Sequence, residues 1–175
     1  LVPQSLVRDC DLARIGFGQT VAVTGLQLAC ATAAAVNGGN YYVPRLLKSV
    51  ILSDKKQVYN KPVLKFNPIS EKASALLAQM LEGVVTEGSG KKAFIEGYRV
   101  GGKTGTAQKY EDGHIASGKY ISSFVGFFPA DKPQYLALII VDEPQGTYYG
   151  SSVAAPVARE IFQDIINIKN LKPYV

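Results

Sequence analysis

The spacing of hydrophobic residues along the chain predicts three helices. The first is an Ala-rich run that begins after Thr24, a residue type favoured at N-caps, and stops at Asn37-Gly38-Gly39. The second opens at Asn67-Pro68, and its apolar residues recur every three or four positions, which predicts one buried stripe. The members of this stripe are Ala73, Leu76, Leu77, Met80, Leu81, Val84 and Val85. The last helix covers about residues 154–168 and tolerates Pro156 in its first turn. Its predicted stripe is Val157, Ile161, Phe162, Ile165 and Ile166.

Runs rich in Val, Ile, Tyr and Phe predict extended segments between these helices. Residues 41–52 and 57–66 form one pair, joined by a turn at residues 53–56. The last third of the chain contains three more: residues 98–109, 120–128 and 135–141. Their short links favour an antiparallel sheet. The third run is continuously apolar, which predicts a central strand buried on both faces.

The domain organisation follows from the continuity of this pattern. The sequence contains no internal repeat or low-complexity segment, and 175 residues fit one domain. We therefore expect residues 1–175 to belong to a single domain of the α/β (α+β) class, with helices packed on an antiparallel sheet. Residues 1–23 lack a clear period and are predicted to be irregular, with a Gly-Phe-Gly turn at residues 16–18.

Composition and charge narrow the function classes. The chain is 47% hydrophobic and 19% charged, which favours a folded domain over disorder. Its net charge of +5 comes from scattered Lys and Arg residues, so nucleic-acid binding is not predicted. A single histidine, His114, gives little support for a metal site, and we predict neither a metal nor a cofactor. Cys10 and Cys30 leave a disulfide open, although Cys30 is typical of a buried apolar helix position.

The candidate chemistry lies at Gly101–Gln108, for which two interpretations compete. Residues Gly97–Thr104 match the P-loop pattern G-x-x-x-x-G-K-[ST], and Asp142 follows an apolar run as a magnesium ligand of an NTPase does. A P-loop binds phosphate at the N-terminus of the helix that follows it. The residues after Thr104 are rich in glycine and cannot sustain a helix, which argues against a P-loop.

The second interpretation is a strand edge that binds an acyl substrate. Side chains alternate along a strand, so Thr104 and Thr106 would point the same way and offer two hydroxyls to a carboxylate. Gly105 would leave room for a substrate backbone, and Lys103 would place a positive charge beside the site. The N–H near Thr106 would face a developing oxyanion. Gln108 either faces the substrate or is an ordinary polar residue at the strand end.

Lys-Thr-Gly is also one of the signatures of the serine acyltransferases that bind penicillin. Residues 102–108, Gly-Lys-Thr-Gly-Thr-Ala-Gln, resemble the corresponding strand of the class B penicillin-binding proteins. The stretch Ile15–Ala29, followed by Asn37-Gly38-Gly39, is similar to a stretch that precedes this strand in the family. Variations on the family pattern there are Phe17, Thr20 and Gly25. Ala93–Lys103 and Val153–Val157 look most like the sporulation members of the family.

This resemblance implies an incomplete penicillin-binding or serine β-lactamase-like fold. The family sheet has five antiparallel strands, and the first two would come from before this chain. Residues 135–141 would then expose an apolar edge, which a companion segment would cover or which would lead the isolated chain to associate. The missing N-terminal part of the same protein is thus an expected partner.

The resemblance also implies an activity. The parent protein would be a D,D-transpeptidase that cross-links peptidoglycan stem peptides ending in D-Ala-D-Ala and is acylated by β-lactam antibiotics. It would be anchored in the bacterial cytoplasmic membrane, with this domain outside. Lys103 and the Thr106 N–H would be catalytic. The implied substrate-binding residues are Thr104, Gly105, Thr106 and Gln108.

The family nucleophile is the serine of a Ser-x-x-Lys motif, which lies upstream of residue 15 in the family. We therefore expect no nucleophile in this chain and no acyl-enzyme from the chain alone. Two other Ser-x-x-Lys strings, Ser53–Lys56 and Ser89–Lys92, fall in polar or Gly-rich turns and are predicted to be solvated loops. A P-loop NTPase, a serine β-lactamase-like hydrolase and a non-catalytic binding module stay open as alternatives.

Overall fold

The computed structural model describes residues 3–16, 18–19, 21–112 and 114–174. Its helices are α1 (Asp9–Ile15), α2 (Gly25–Val36), α3 (Glu71–Thr86), α4 (Gly150–Val153) and α5 (Ala155–Lys169). Its strands are β1 (Tyr41–Tyr42), β2 (Ser49–Ile51), β3 (Gln57–Tyr59), β4 (Leu64–Phe66), β5 (Gly101–Glu111), β6 (His114–Phe128) and β7 (Tyr135–Asp142). Single 3-10 turns occur at Gln4–Leu6 and Lys91–Ala93.

The main sheet is antiparallel, as predicted, and β6 lies between β5 and β7. Within the described ranges β7 is an edge strand, as expected for residues 135–141 without the two upstream strands of the family sheet. Helices cover both of its faces, which accounts for its continuous apolar run. Ile139 packs on the core beside α5, whereas Ile140 and Leu138 approach Gly25 at the start of α2.

Alternation along β6 divides the core between the two faces of the sheet. Phe124 and Phe128 are fully buried on the α5 side, where the rings of Phe128 and Phe162 lie 5.9 Å apart. Phe127 is buried on the opposite side, against Val36 of α2 and the inner face of α3. The predicted fold class, helices packed on an antiparallel sheet, is therefore confirmed.

Local signals set the limits of α2 as the sequence predicts. The Thr24 hydroxyl accepts a hydrogen bond from the backbone N–H of Gln27 across 3.2 Å, which caps the helix. Gly38 and Gly39 then adopt φ angles of 89° and 82°, which end it. A Cβ on Gly39 would also overlap the carbonyl oxygen of Ile69, so both the positive φ and the close contact require glycine there.

The predicted stripe of α3 is correct only in part. Its buried residues are Ser74, Ala78 and Val85, and its exposed ones include Ala73, Leu76 and Met80. Leu76 is 54% exposed and Met80 62% exposed. Small residues face inward because α3 lies close to α2, where the Ser74 hydroxyl donates to the Ala35 carbonyl across 2.8 Å.

On α5 the buried residues are Ala155, Ala158, Phe162 and Ile166. The prediction holds for Phe162, Ile165 and Ile166 but is wrong for Val157 and Ile161, which are exposed. In the first half of α5 the inward-facing positions are the alanines Ala155 and Ala158, so this half packs closely on the sheet. Pro156 lies in the first turn, as predicted. None of the described helices is long and apolar enough to cross a membrane.

The N-terminal segment is more regular than predicted, because α1 forms within residues 1–23. The Arg8 side chain pairs with Asp11 in the first turn, with 2.9 Å between Nε and Oδ2. Gly18 adopts a φ of 86°, consistent with the predicted turn. The positions Phe17 and Thr20 lie outside the described residues. Cys10 is exposed and Cys30 half-buried, and both are free thiols.

Residues 41–66 form two small nested sheets beside the main one. β1 pairs with β4, and β2 pairs with β3, both antiparallel. The predicted turn at residues 53–56 is confirmed, since the Lys55 N–H donates to the Leu52 carbonyl across 2.9 Å.

Candidate active site

All the site residues that the sequence predicts lie on β5, at an edge of the main sheet. Lys103, Thr106 and Gln108 are exposed, and Thr104 and Gly105 are half-buried. An edge strand directs half of its backbone N–H and C=O groups away from its one partner strand. An extended ligand can therefore pair with β5 along its free side.

The two glycines that open β5 are required by the aromatic core beneath it. A Cβ on Gly101 would overlap the ring of Phe127, and a Cβ on Gly102 would overlap the ring of Phe124. After the Lys-Thr pair the chain continues as a strand, where a P-loop needs a helix. The P-loop interpretation is therefore wrong, and the glycines serve strand packing.

The register of the sheet puts the two threonines on one face. Thr104 lies opposite Phe124 and Thr106 lies opposite Ser122 on β6. Directly paired residues project to the same face, so both hydroxyls lie on the α5 side of the strand. Lys103 alternates to the other face, and its Nζ donates to the Thr104 carbonyl across 3.0 Å.

Thr106 is held by the start of α4. The backbone N–H of Gly150 donates to the Thr106 Oγ1 across 3.1 Å. Because a hydroxyl can accept two hydrogen bonds and donate one, Thr106 keeps its proton for a ligand. Gly150 is buried, and a Cβ there would overlap the carbonyl oxygens of Gly105 and Ser123. Only glycine brings this N–H close enough to β5.

The loop before Gly150 is fastened to β6. The Ser122 hydroxyl, which is fully buried, donates to the Tyr148 carbonyl. The Tyr148 ring stacks on Tyr120 with 4.0 Å between centroids, and its hydroxyl lies 3.4 Å from that of Tyr149. The hydrogen bond between the Tyr148 and Tyr149 hydroxyls is the main reason why the pKa of Tyr148 is raised above its ordinary value. Tyr148 thus packs on β6, and the loop that leads to Gly150 lies next to Thr106.

Thr104 is held by a residue that the sequence interpretation assigned to a solvated loop. Ser89 is exposed, as predicted, but its Oγ lies 3.0 Å from the Thr104 Oγ1. The lysine of its Ser-x-x-Lys string is engaged elsewhere, because the Lys92 Nζ donates to the Ser152 hydroxyl across 3.3 Å. Ser53, in the other string, lies in an exposed hairpin turn, as predicted. Ser89 therefore belongs to the site as a neighbour of Thr104.

Gly105 lies close to the side chain of Ser123, its partner on β6. A Cβ on Gly105 would lie 2.5 Å from the Ser123 Oγ, so a side chain there would displace the serine. Gln108 lies opposite Tyr120, on the same face as the threonines. That face therefore carries Thr104, Thr106 and Gln108 in a row along the strand.

Beyond Gln108, a cluster of charges joins β5 to the end of β7. The Lys109 Nζ lies 2.7 Å from the Glu143 Oε1 and 2.9 Å from the Asp142 Oδ2. The hydrogen bond to Glu143, followed by the one to Asp142, raises the pKa of Lys109 above its ordinary range. Asp142 is thus paired with a lysine of its own sheet. The acidic residue that the P-loop interpretation assigned to magnesium is therefore already engaged.

Comparison with known proteins identifies the family of this chain. The sequence matches the family model of the penicillin binding protein transpeptidase domain over residues 4–163. The chain belongs to this family. Stage V sporulation protein D of Bacillus subtilis is 44% identical over 176 residues, which is 99% of this chain and 27% of that protein. The peptidoglycan D,D-transpeptidase FtsI of Buchnera aphidicola is 36% identical over 170 residues, 94% of this chain and 28% of that protein.

The transpeptidase fold is also found among solved structures. Penicillin binding protein 3 of Mycobacterium tuberculosis superposes on the whole chain with a TM-score of 0.88 and 26% identity. The transpeptidase domain of penicillin-binding protein 3 from Burkholderia pseudomallei gives 0.79 and 28%. The chain covers 42% and 51% of these two, and it spans about a quarter of the curated relatives named above. It is therefore similar to one part of a longer transpeptidase.

Proposed function

We propose that the protein carrying this chain is a serine D,D-transpeptidase that cross-links peptidoglycan stem peptides. The observation that carries this proposal is the pair Thr104 and Thr106, whose hydroxyls share one face of an edge strand and are each held by a second segment. Two fixed hydroxyls on one face of a strand suit a terminal carboxylate, such as that of D-Ala-D-Ala. Membership of the transpeptidase family supports the same function.

Each predicted site residue of β5 then has a role in this proposal. Thr104 and Thr106 bind the terminal carboxylate, and Lys103 adds positive charge and assists proton transfer. The substrate backbone lies along the strand at Gly105, and Gln108 extends the contact. The Thr106 N–H is one donor of the oxyanion hole, a type of interaction whose removal raises a reaction barrier by about 3–4 kcal/mol.

The proposed reaction needs a serine that we place outside residues 1–175. Its oxygen attacks the carbonyl carbon of the penultimate D-Ala, the amide bond to the terminal D-Ala breaks, and that residue leaves with a proton on its nitrogen. An amine of a neighbouring stem peptide then attacks the acyl-serine ester and releases the serine. A β-lactam acylates the same serine, but its ring nitrogen stays tethered, so the adduct persists. Solved complexes of the mycobacterial relative with aztreonam and ampicillin support β-lactam binding.

The biological setting belongs to the same proposal. The 44% identity to stage V sporulation protein D supports a role in the cell wall of the spore. Peptidoglycan lies outside the cytoplasmic membrane, so the domain acts on that face, and an anchor in the parent protein holds it there.

A D-amino acid exchange assay with the full-length protein tests this function. The protein is incubated with a peptide ending in D-Ala-D-Ala and a fluorescent D-amino acid. We expect the fluorescent residue to replace the terminal D-Ala, and benzylpenicillin to abolish the exchange. Fast, repeated hydrolysis of penicillin would instead indicate a β-lactamase. Neither exchange nor penicillin binding would indicate a non-catalytic module and contradict the proposal.

A further inference from the structure

We propose that Ser89 is a positioning residue, which donates its hydroxyl proton to Thr104 and so directs the Thr104 proton towards the substrate carboxylate. This role rests on the proposed function, because it assumes that the face of β5 carrying Thr104 binds a carboxylate. It adds a residue from the end of α3 to a site otherwise made of β5 and α4.

Ser89 occupies a fixed position at the end of α3. The Gly88 N–H donates to the Gly83 carbonyl across 3.1 Å, and the Gly90 N–H donates to the Val84 carbonyl across 2.9 Å. A Cβ on Gly88 would lie 2.9 Å from the Val84 oxygen, and one on Gly90 would lie 3.1 Å from it. The two glycines therefore let the chain wrap closely around the helix end, which holds Ser89 against β5.

The direction of the hydrogen bond between Ser89 and Thr104 follows from the number of protons that each hydroxyl can donate. The Ser89 and Thr104 oxygens lie 3.0 Å apart, and either could donate. Thr104 has one proton, so if it donated to Ser89 it would have none for a ligand. A carboxylate is a stronger acceptor than a neutral hydroxyl. Once the carboxylate binds, the Thr104 proton turns to it, and Ser89 supplies the proton that Thr104 accepts.

The same logic already operates at Thr106. There the donor is the Gly150 N–H, which can only donate, so the Thr106 proton is free to face outward. Ser89 and Gly150 thus perform matching tasks on neighbouring threonines of one face. Hydrogen bonds in such chains strengthen one another, because each donor polarises the next.

A purely structural role for Ser89 makes different predictions. In that case its hydrogen bond would tie the α3 end to β5, and its loss would lower stability and slow every reaction of the protein alike. A positioning role acts only through the Thr104 hydroxyl. A double-mutant cycle shows whether Ser89 acts through Thr104. Comparison of the acylation rate with the melting temperature then separates the two roles, because a structural role lowers both and a positioning role lowers the rate alone.

The test measures the second-order rate constant for acylation of the full-length protein by benzylpenicillin. We expect Ser89→Ala to lower it about tenfold, in line with one hydrogen bond, and Ser89→Thr to restore it by returning the hydroxyl. In the Thr104→Val background, Ser89→Ala should change the rate less than about twofold. The matched control is Ser53→Ala, the serine of the other Ser-x-x-Lys string, which should react like the wild type.

Equal losses from Ser89→Ala in both backgrounds, or none in the wild-type background, would overturn the proposal. Thermal melting of each variant reports whether the fold is intact, and rescue by Ser89→Thr separates the hydroxyl from packing. A wild-type protein that forms no adduct would overturn the proposed function, and the role of Ser89 with it.

Discussion

The backbone N–H of Gly150 donates to the hydroxyl of Thr106 across 3.1 Å and joins the start of α4 to the edge of the main sheet. The contact is close because Gly150 lies directly on the backbone of β5 and β6. It leaves the Thr106 proton directed away from α4. The orientation of the hydroxyl that we propose binds the substrate carboxylate thus depends on a residue 44 positions along the chain.

Gly150→Ala should therefore disturb the site more than its small size suggests. The new Cβ would overlap two carbonyl oxygens, so α4 must shift and its hydrogen bond to Thr106 must lengthen. The Thr106 hydroxyl would then lose its orientation towards the penicillin carboxylate. We expect acylation by benzylpenicillin to slow at least tenfold, the effect of losing a hydrogen bond to a charged group. Stopped-flow kinetics would measure this. Ser151→Ala in the same helix is the control, and equal rates for both variants would refute the role of Gly150.

The hydroxyl of Thr106 itself can be tested by two substitutions. Thr106→Val keeps the branched shape but removes the hydroxyl, and Thr106→Ser keeps the hydroxyl. A hydrogen bond to a carboxylate contributes about 1.5–3 kcal/mol, so we expect Val to slow acylation about 10- to 100-fold. Serine should retain most of the rate. If both variants lost the same activity, the methyl group rather than the hydroxyl would be the important feature.

Gly102→Ala should destabilise the domain through packing. The added methyl group would meet the fully buried ring of Phe124, and overpacking of this kind typically costs about 1–3 kcal/mol. Urea unfolding of the full-length protein would measure the loss. Gly83→Ala is the control, because a Cβ there would meet no described atom within 4 Å outside the backbone of its own helix, and alanine favours a helix. A Gly102→Ala variant as stable as the wild type would contradict the packing of β5 described above.

Lys109→Met should lower stability with a defined dependence on pH. Glu143 and Asp142 raise the pKa of Lys109 in the folded protein above the value of about 10.4 expected in the unfolded chain. A raised lysine pKa stabilises the fold fully below the unfolded value, and the contribution is lost as the pH rises through the folded value. The stability difference between wild type and Lys109→Met should thus stay constant from about pH 7 to 9. Urea unfolding at several pH values would show this, and a difference that shrinks within that range would contradict the ion cluster.

The parts of the fold that the sequence predicted depend on local signals. Thr24 and the glycines at 38 and 39 define α2 through contacts with close neighbours. The Lys-Thr-Gly strand was likewise predictable, since glycine and threonine exclude a helix after Lys103. In both cases the deciding interactions lie within a few residues of each other.

The errors concern burial and distant partners. Leu76 and Met80 were assigned to the core because their spacing matches a buried stripe, but the face of α3 that packs inward carries smaller residues. Ser89 was missed because its contact with Thr104 depends on how the end of α3 folds back. A Gly-Ser-Gly sequence after a helix was the only signal of it.

The most direct test of the central claim is mass spectrometry of the full-length protein after reaction with benzylpenicillin. We predict one long-lived adduct per molecule, and peptide mapping should place it on a serine outside residues 1–175. Thr104→Val and Thr106→Val should slow its formation without moving it. An adduct on Ser89 or Ser53, or no adduct at all, would contradict the account of β5 as the substrate-binding wall of a serine transpeptidase.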